Sequence, residues 1–220
     1  MKLARPDIPH PRIVLAGSPG NEEAGLIPAL RQRGLHARWL PWDDPAAVDA
    51  DLVIVRAVTD YRDRLDEFLG WTRRVPYLLN SPDVIAWNAD QEYLGDLARA
   101  GIPTLPGHGA QTVLIFLGGE QSHALAGSSA TEPDYELWDL GYAALQAAAE
   151  QVGVRRSDLL FARVDLVGDP AAVRLTGLDL IAPELGWRYL GTAMREAAQR
   201  RFALCVESAL DQLGLGPLSQ

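Results

Sequence analysis

The first hundred residues alternate between short unbroken apolar runs and stretches whose apolar positions recur at helical spacing. Arg12–Ala16 (RIVLA) predicts a buried strand that closes in the turn Gly17-Ser18-Pro19-Gly20. A helix follows, with Asn21 as its cap and Glu22 and Glu23 in its first turn, near the positive end of the helix dipole. Its apolar face is Leu26, Ile27 and Leu30, and Gly34 ends it. Leu35–Leu40 predicts a second strand and Asp51–Val55 (DLVIV) a third, continuously apolar as expected where helices cover both faces of a sheet. Leu65, Phe68, Leu69 and Trp71 form one side of the next helix, Tyr77–Leu79 a fourth strand, and Asp90–Arg99 a helix stopped by Gly101. Strands alternating with helices predict a parallel, right-handed βαβ sheet through Pro106.

The pattern then changes. Thr112–Leu117 and Glu120–Leu125 flank Gly118-Gly119, a hairpin signal. Gly127–Pro133 reads as a polar loop, and Leu137, Leu140, Ala144, Leu145 and Ala148 give Asp134–Gln151 a helical period. Leu159–Val167 and Ala171–Ile181 read as antiparallel strands joined by Gly168-Asp169-Pro170. Thr192 opens a final helix whose inner face is Met194, Ala198, Cys205, Ala209 and Leu213. This half is α+β, and the Pro/Gly-rich segment Pro103–Gly109 marks the boundary between domains at 12–106 and 107–215.

Composition narrows the function classes. With 220 residues, 48% hydrophobic and 22% charged, the chain can bury one large core or two small ones. A net charge of −9 argues against a phosphate-backbone binder, so nucleic acid is not an expected partner. No apolar run approaches membrane-spanning length, and MKLARPDIPHPR lacks the apolar core of a signal peptide, so the expected compartment is the cytoplasm, with no membrane partner. One cysteine, Cys205, excludes an intrachain disulfide and a thiolate zinc cluster.

Polar residues cluster where open parallel sheets bind ligands, beyond the carboxyl ends of the strands. They are Ser18 after the first strand, Arg56, Asp60 and Tyr61 after the third, and Asn80 after the fourth. Arg56 either grips a carboxylate or phosphate at two points or forms a salt bridge with Asp60 that fixes the turn. Gly17-Ser18-Pro19-Gly20 either presents amides to an anion or is only a tight turn. His123, in the hairpin, is a ligand or acid–base group, or a solvent-facing side chain.

Several blocks together resemble the ATP-grasp carboxylate–amine ligases, in particular the actinobacterial, D-cycloserine cyclo-ligase-like branch. Arg56, Asp60 and Tyr61 match an R-S-T-W-D-Y stretch, with Ala57-Val58-Thr59 between them here. Trp87-Asn88-Ala89-Asp90-Gln91-Glu92-Tyr93-Leu94 resembles W-N-x-D-K-x-Y-L, with Gln91 where that family has a phosphate-binding lysine, and Trp87 and Leu94 as core. Gly118-Gly119-Glu120 with Ser122-His123-Ala124 matches G-G-E-x-S-H-A, without the lysine that usually follows. Ala162-Arg163-Val164-Asp165 matches A-R-V-D, whose aspartate is a magnesium ligand in the family. In Thr176–Pro183, Gly177 and Ala182 replace two glutamates of the family's metal site and Asp179 replaces the third.

The resemblance implies a parallel βαβ pre-ATP-grasp domain followed by an α+β remnant of the ATP-grasp C-terminal subdomain. The ATP-clamping subdomain that several tens of residues build in the family is reduced here to the join Gly107–Ala110. It implies ATP and Mg²⁺ as cofactors, Asp165 and Asp179 as metal ligands, Arg163 and His123 as catalytic groups, and Arg56, Asp60, Tyr61, Ser18 and Asn80 as substrate contacts. Asp165 pairing with Arg163 or Arg174 is the structural alternative. Both lysines, the phosphate-covering loop and most carboxylate ligands are gone, and with them nearly every charge that binds ATP. The expected function is therefore a degenerate ATP-grasp protein that has lost standard ligation and binds a small molecule or a protein partner, as a homodimer or in a hetero-complex. Loss of the clamping subdomain is expected to leave apolar sheet surface for such a partner. The alternative is a carboxylate–amine ligase completed by another chain, or a repurposed enzyme.

Overall fold

The computed structural model describes residues 11–216 apart from 19, 21, 22 and 108. The expected cap Asn21, the acidic residue Glu22 and the start of the chain therefore lie outside the described residues. Contacts divide the chain into two compact units, one running to Pro82 and resuming at Thr192, the other Asp83–Gly191.

The first unit holds a parallel four-stranded sheet of β1 (Ile13–Gly17), β2 (Ala37–Leu40), β3 (Leu52–Ala57) and β4 (Leu78–Leu79), in the order β2-β1-β3-β4. β1 is buried along its whole length and β3 up to Arg56, as continuous apolar strands between helical layers should be. The helices are α1 (Leu26–Gln32), α2 (Leu65–Thr72) and α6 (Thr192–Gln212). α2 turns Phe68 and Trp71 inward, where their rings lie 5.6 Å apart and Trp42 meets both edge-on. α6 joins this unit by packing on α1, with Glu207 paired to Arg33. Its buried face is Ala198, Gln199, Phe202, Ala203, Val206 and Leu210, rotated from the predicted one, and Met194 is exposed.

The second unit holds β5 (Thr112–Leu117), β6 (Glu120–Ala126), β7 (Ser129–Thr131), β8 (Phe161–Val167) and β9 (Arg174–Asp179), antiparallel in the order β7-β6-β5-β8-β9. Gly118 and Gly119 both take positive φ (62° and 75°), which a two-residue hairpin turn with the right twist demands. The expected polar loop Gly127–Pro133 contains β7, a short exposed edge strand. One sheet face, including Leu114, Phe116, Ala162, Val164 and Leu178, shares a core with Leu137, Leu140, Ala144, Leu145 and Ala148 of α5 (Tyr135–Val152).

The unit begins earlier than the sequence suggests. The expected helix Asp90–Arg99 is α4 (Tyr93–Arg99), and an unanticipated α3 (Pro82–Ala89) precedes it. Val84 of α3 and Leu97 of α4 enter the second core. The Asn88 amide donates to the carbonyl of Leu178 (2.9 Å) and accepts from the amide of Leu180 (2.7 Å). These contacts place the division at Pro82/Asp83 rather than within Pro103–Gly109. Thr104 then bridges Leu175 along the outer edge of β9. No helix or strand intervenes between that bridge and β5 among the described residues. The exposed large apolar side chains among the described residues are Tyr77, Tyr135, Met194 and Leu204, and none belongs to β5–β9, contrary to the expected apolar sheet surface.

Candidate functional site

Two polar constellations arise, one in each unit. In the first, the strand order reverses direction between β1 and β3, the place where open α/β sheets form a ligand crevice. The register runs Ala16 opposite Val55, then Gly17 opposite Ala57, so Arg56 is an extra, bulged residue. A Cβ on Gly17 would lie 2.3 Å from the carbonyl oxygen of Ala57, so only glycine permits this approach. Ser18 is exposed, and its amide donates to that same carbonyl (2.9 Å).

Arg56 is 2% exposed and pairs with Glu23, itself 6% exposed. Nη2 lies 2.5 Å from one carboxylate oxygen and Nε 3.4 Å from the other. The anticipated partner, Asp60, instead accepts from the indole of Trp42 (3.0 Å) and from Arg64 (3.3 Å). Those contacts, the Trp42 bond foremost, hold the Asp60 carboxyl below the usual carboxylate range. Tyr61 is buried against Phe68, with ring centroids 5.2 Å apart, and its hydroxyl accepts from Arg62. Asn80 is buried just past β4. Arg56 and Asn80 thus lie buried at the carboxyl ends of the neighbouring strands β3 and β4, while Asp60 and Tyr61 belong to the Trp42–Phe68 cluster.

In the second unit, pleating and register gather the remaining candidates. His123 stands opposite Ile115, Ile115 opposite Arg163, and Arg163 opposite Asp179, one row across four strands. The adjoining row on that face carries Asp165 opposite Gly177. Arg163 Nε donates to Asp165 Oδ1 (2.8 Å). Asp179 Oδ1 accepts from the amides of Ile181 (2.9 Å) and Ala182 (3.2 Å), closing the turn after β9. Arg174 sits opposite Val167 and is not the partner of Asp165.

His123 is 6% exposed rather than solvent-facing. Nε2 lies 2.7 Å from the carbonyl of Leu185, which only accepts, so Nε2 carries the proton and Nδ1 accepts from Ser122 (3.0 Å). Burial pushes the imidazole below its ordinary value, and the Leu185 carbonyl opposes the shift more weakly. His123 is accordingly neutral at pH 7. The unfolded chain, titrating near about 6.5, binds the extra proton first. Stability should therefore fall as pH drops from about 6.5 toward the depressed folded value, by up to about 1.4 kcal/mol per pH unit from this group. Denaturant midpoints of the wild type and of His123→Gln across that range measure the effect, since the variant should lose this part of the slope.

Magnesium asks for several hard oxygen ligands in near-octahedral array. Asp165 is engaged by Arg163, Asp179 by two backbone amides, and Gly177 and Ala182 offer no side-chain oxygen. Among the described residues no group of three or more His, Cys, Asp or Glu is placed to hold a metal. The residues present do not fit a protein-held Mg²⁺. Among the described residues there is no lysine for a triphosphate, and Lys2, the sequence's sole lysine, lies outside them.

Three residues with clear structural roles were missed in the sequence. Glu23 reads there as a dipole partner and is the counter-ion of Arg56. Asn88 and Tyr93 read as parts of a motif, and both dock on the β9 backbone; the Tyr93 hydroxyl accepts from the Leu178 amide at 3.1 Å. Their signal was the polar residues of an otherwise apolar helical period.

Residues 10–80 match the family of the D-cycloserine synthetase DcsG N-terminal domain. The cycloserine biosynthesis protein DcsG of Streptomyces lavendulae is 29% identical over 115 residues, which are 50% of this chain and 36% of that protein. The match thus spans about a third of the curated relative. The crystal structure of D-cycloserine synthetase DcsG superposes with a TM-score of 0.76 at 19% identity, covering 90% of this chain and 99% of that one. The RimK domain ATP-grasp protein of Sphaerobacter thermophilus superposes with a TM-score of 0.58 at 17% identity, covering 88% and 99%. No helix among the described residues is long and apolar enough to cross a membrane. Residues 10–80 thus resemble the N-terminal domain of D-cycloserine synthetase, and the chain along most of its length shares the fold of the D-cycloserine synthetase and RimK domain ATP-grasp structures.

Proposed function

We propose that this chain is a degenerate ATP-grasp protein that does not carry out ATP-dependent ligation by itself and serves as a small-molecule-binding or partner subunit. The observation that carries this reading is the state of the would-be metal face, where Asp165 is neutralised by Arg163 across from Gly177. Phosphoryl transfer depends on positioned charge around the transferring group. Two engaged carboxylates and one engaged arginine supply little of it. Calorimetric titration with ATP and Mg²⁺ tests the reading. The expected result is no saturable heat at micromolar protein and nucleotide; a dissociation constant in the micromolar range overturns it.

The fold supports a second reading. His123, Arg163, Asp165 and Asp179 keep one row and its neighbour on a single sheet face, and the superposition on D-cycloserine synthetase covers most of the chain. A ligase completed by another chain would draw its lysines and phosphate-covering loop from that partner. It would make an acyl phosphate from a carboxylate and ATP, then an amide-type bond on attack by an amine. Carboxylate-dependent ADP release that requires both chains is the result that selects this reading over the first.

A further inference from the structure

We propose that the cavity at the amino-terminal end of the parallel sheet is a binding site for a small organic monocation, an ammonium group carried on an aromatic body. This site lies at the opposite end of the strands from the β1–β3 crevice and shares no residue with it.

The sheet itself builds the cavity. The neighbouring strands β1, β3 and β4 each supply the residue just before their first: Arg12, Asp51 and Tyr77. The Arg12 carbonyl accepts from the amides of Asp51 (2.9 Å) and Leu52 (3.2 Å), and the Tyr77 carbonyl accepts from the Val53 amide (2.9 Å). These bonds fix the backbone of all three. Leu215, just past α6 and bonded back to the Leu210 carbonyl (2.9 Å), joins the lining. The space between them is about 330 Å³, at the small end of the range for pockets that hold small molecules.

Charge selects the sign of the ligand. One guanidinium faces two carboxylates, so the lining carries a surplus negative charge. Arg12 and Asp51 satisfy each other: Nε and Nη2 donate to Oδ2 (3.2 Å) and Oδ1 (3.0 Å), and the Arg12 amide also donates to Oδ2 (2.8 Å). The side-chain bond to Arg12 holds the Asp51 carboxyl below the usual carboxylate range, so this pair stays charged and closed. Asp49 carries the surplus. It is exposed, and among the described residues it has no hydrogen bond or ion pair, only a through-space attraction to Arg12. An anion would have to displace Asp51 from Arg12, whereas a cation meets a waiting carboxylate.

Apolar surface selects the body. Tyr77 is 41% exposed, and of the four large apolar side chains left open among the described residues it is the one in the cavity wall. Pro76 and Leu215 extend that wall. A phenolic ring offers a surface for stacking an aromatic group, and its negative face attracts an ammonium.

Benzylamine, which carries one positive charge at neutral pH, is the probe, with benzyl alcohol as its neutral counterpart and benzoate as its anionic one. In calorimetric titrations of the full chain the amine should bind at one site with a dissociation constant of about 1 mM or tighter. It should bind about fivefold tighter than the alcohol, and benzoate should give no saturable heat. Asp49→Asn should weaken the amine about fivefold, to the level of the alcohol, and Tyr77→Ala should weaken it by a similar factor. Glu136→Gln, the same change of charge at an exposed position on α5, should leave binding unchanged. Asp49 has no bonded partner to lose, so Asp49→Asn keeps the fold and reads the site directly. The proposal is overturned by absence of saturable heat from the amine, by either control binding as tightly as the amine, or by an affinity that Asp49→Asn or Tyr77→Ala does not move. An equal loss in Glu136→Gln and Asp49→Asn, the mark of diffuse attraction to an acidic protein, also overturns it. These titrations contain no nucleotide, so their failure is distinct from a failure of the ATP and Mg²⁺ experiment.

Discussion

Glu23→Ala is expected to lower the unfolding free energy by about 3–5 kcal/mol, a large part of a typical domain's stability. The cost comes from what remains. Removing the carboxylate takes a bonded counter-charge from a guanidinium that is almost wholly buried, as its partner is. Replacing both charges at once removes that buried ion as well, so Glu23→Gln/Arg56→Met should lose less than Glu23→Ala alone. Urea melts with unchanged m-values measure both quantities. A single-variant loss below about 1 kcal/mol would place the pair in the class of solvated surface bridges and contradict the burial.

Phe116→Ala should be comparably damaging in the second unit, at about 3–5 kcal/mol. Phe116 is fully buried, and its ring is met edge-on by Trp138 at 5.4 Å and Tyr142 at 5.1 Å, both from α5. Between those two, Gly141 gives the ring room: a Cβ there would stand 2.8 Å from Phe116 Cζ and 2.9 Å from Leu114 Cδ1. Gly141→Ala therefore overfills the same contact and should cost about 1–3 kcal/mol. Combined with Phe116→Leu, which clears the space, Gly141→Ala should cost markedly less than it does alone. Denaturant midpoints of the two singles and the double close the cycle; simple additivity would show that ring and glycine do not share a contact.

How far the sequence revealed this molecule depended on whether a residue's partner was near or periodic. β1 and β3 were legible because unbroken apolar runs have few homes other than the middle of a covered parallel sheet. The Gly118-Gly119 hairpin was legible because few residues tolerate that turn. Arg163 and Asp165 were legible as a pair because residues two apart on a strand share a face. Glu23 was not, since its partner lies 33 residues away and its local context suits a helix start equally well. β7 was hidden because an exposed edge strand has no apolar alternation to display. α3 was overlooked although Pro82 at its first position is a start signal. The face of α6 was mis-phased because Met194 and Cys205 are as apolar as the residues that do turn inward. The division of the chain escaped composition altogether: prolines and glycines mark where a backbone bends, whereas Val84, Asn88 and Leu97 determine to which core the preceding helices belong.

The bridge from Thr104 to Leu175 has a consequence for how the molecule behaves at high concentration. Strand addition between molecules starts at unsatisfied ladder groups on an outer strand. On β9 the Leu175 amide and carbonyl are already bonded to Pro103 and Leu105. At the opposite margin β7 offers only Ser129, Ala130 and Thr131, a polar template too brief to recruit a long neighbour. The pairing at Leu175 and the brevity of β7 thus disfavour strand addition at these two places.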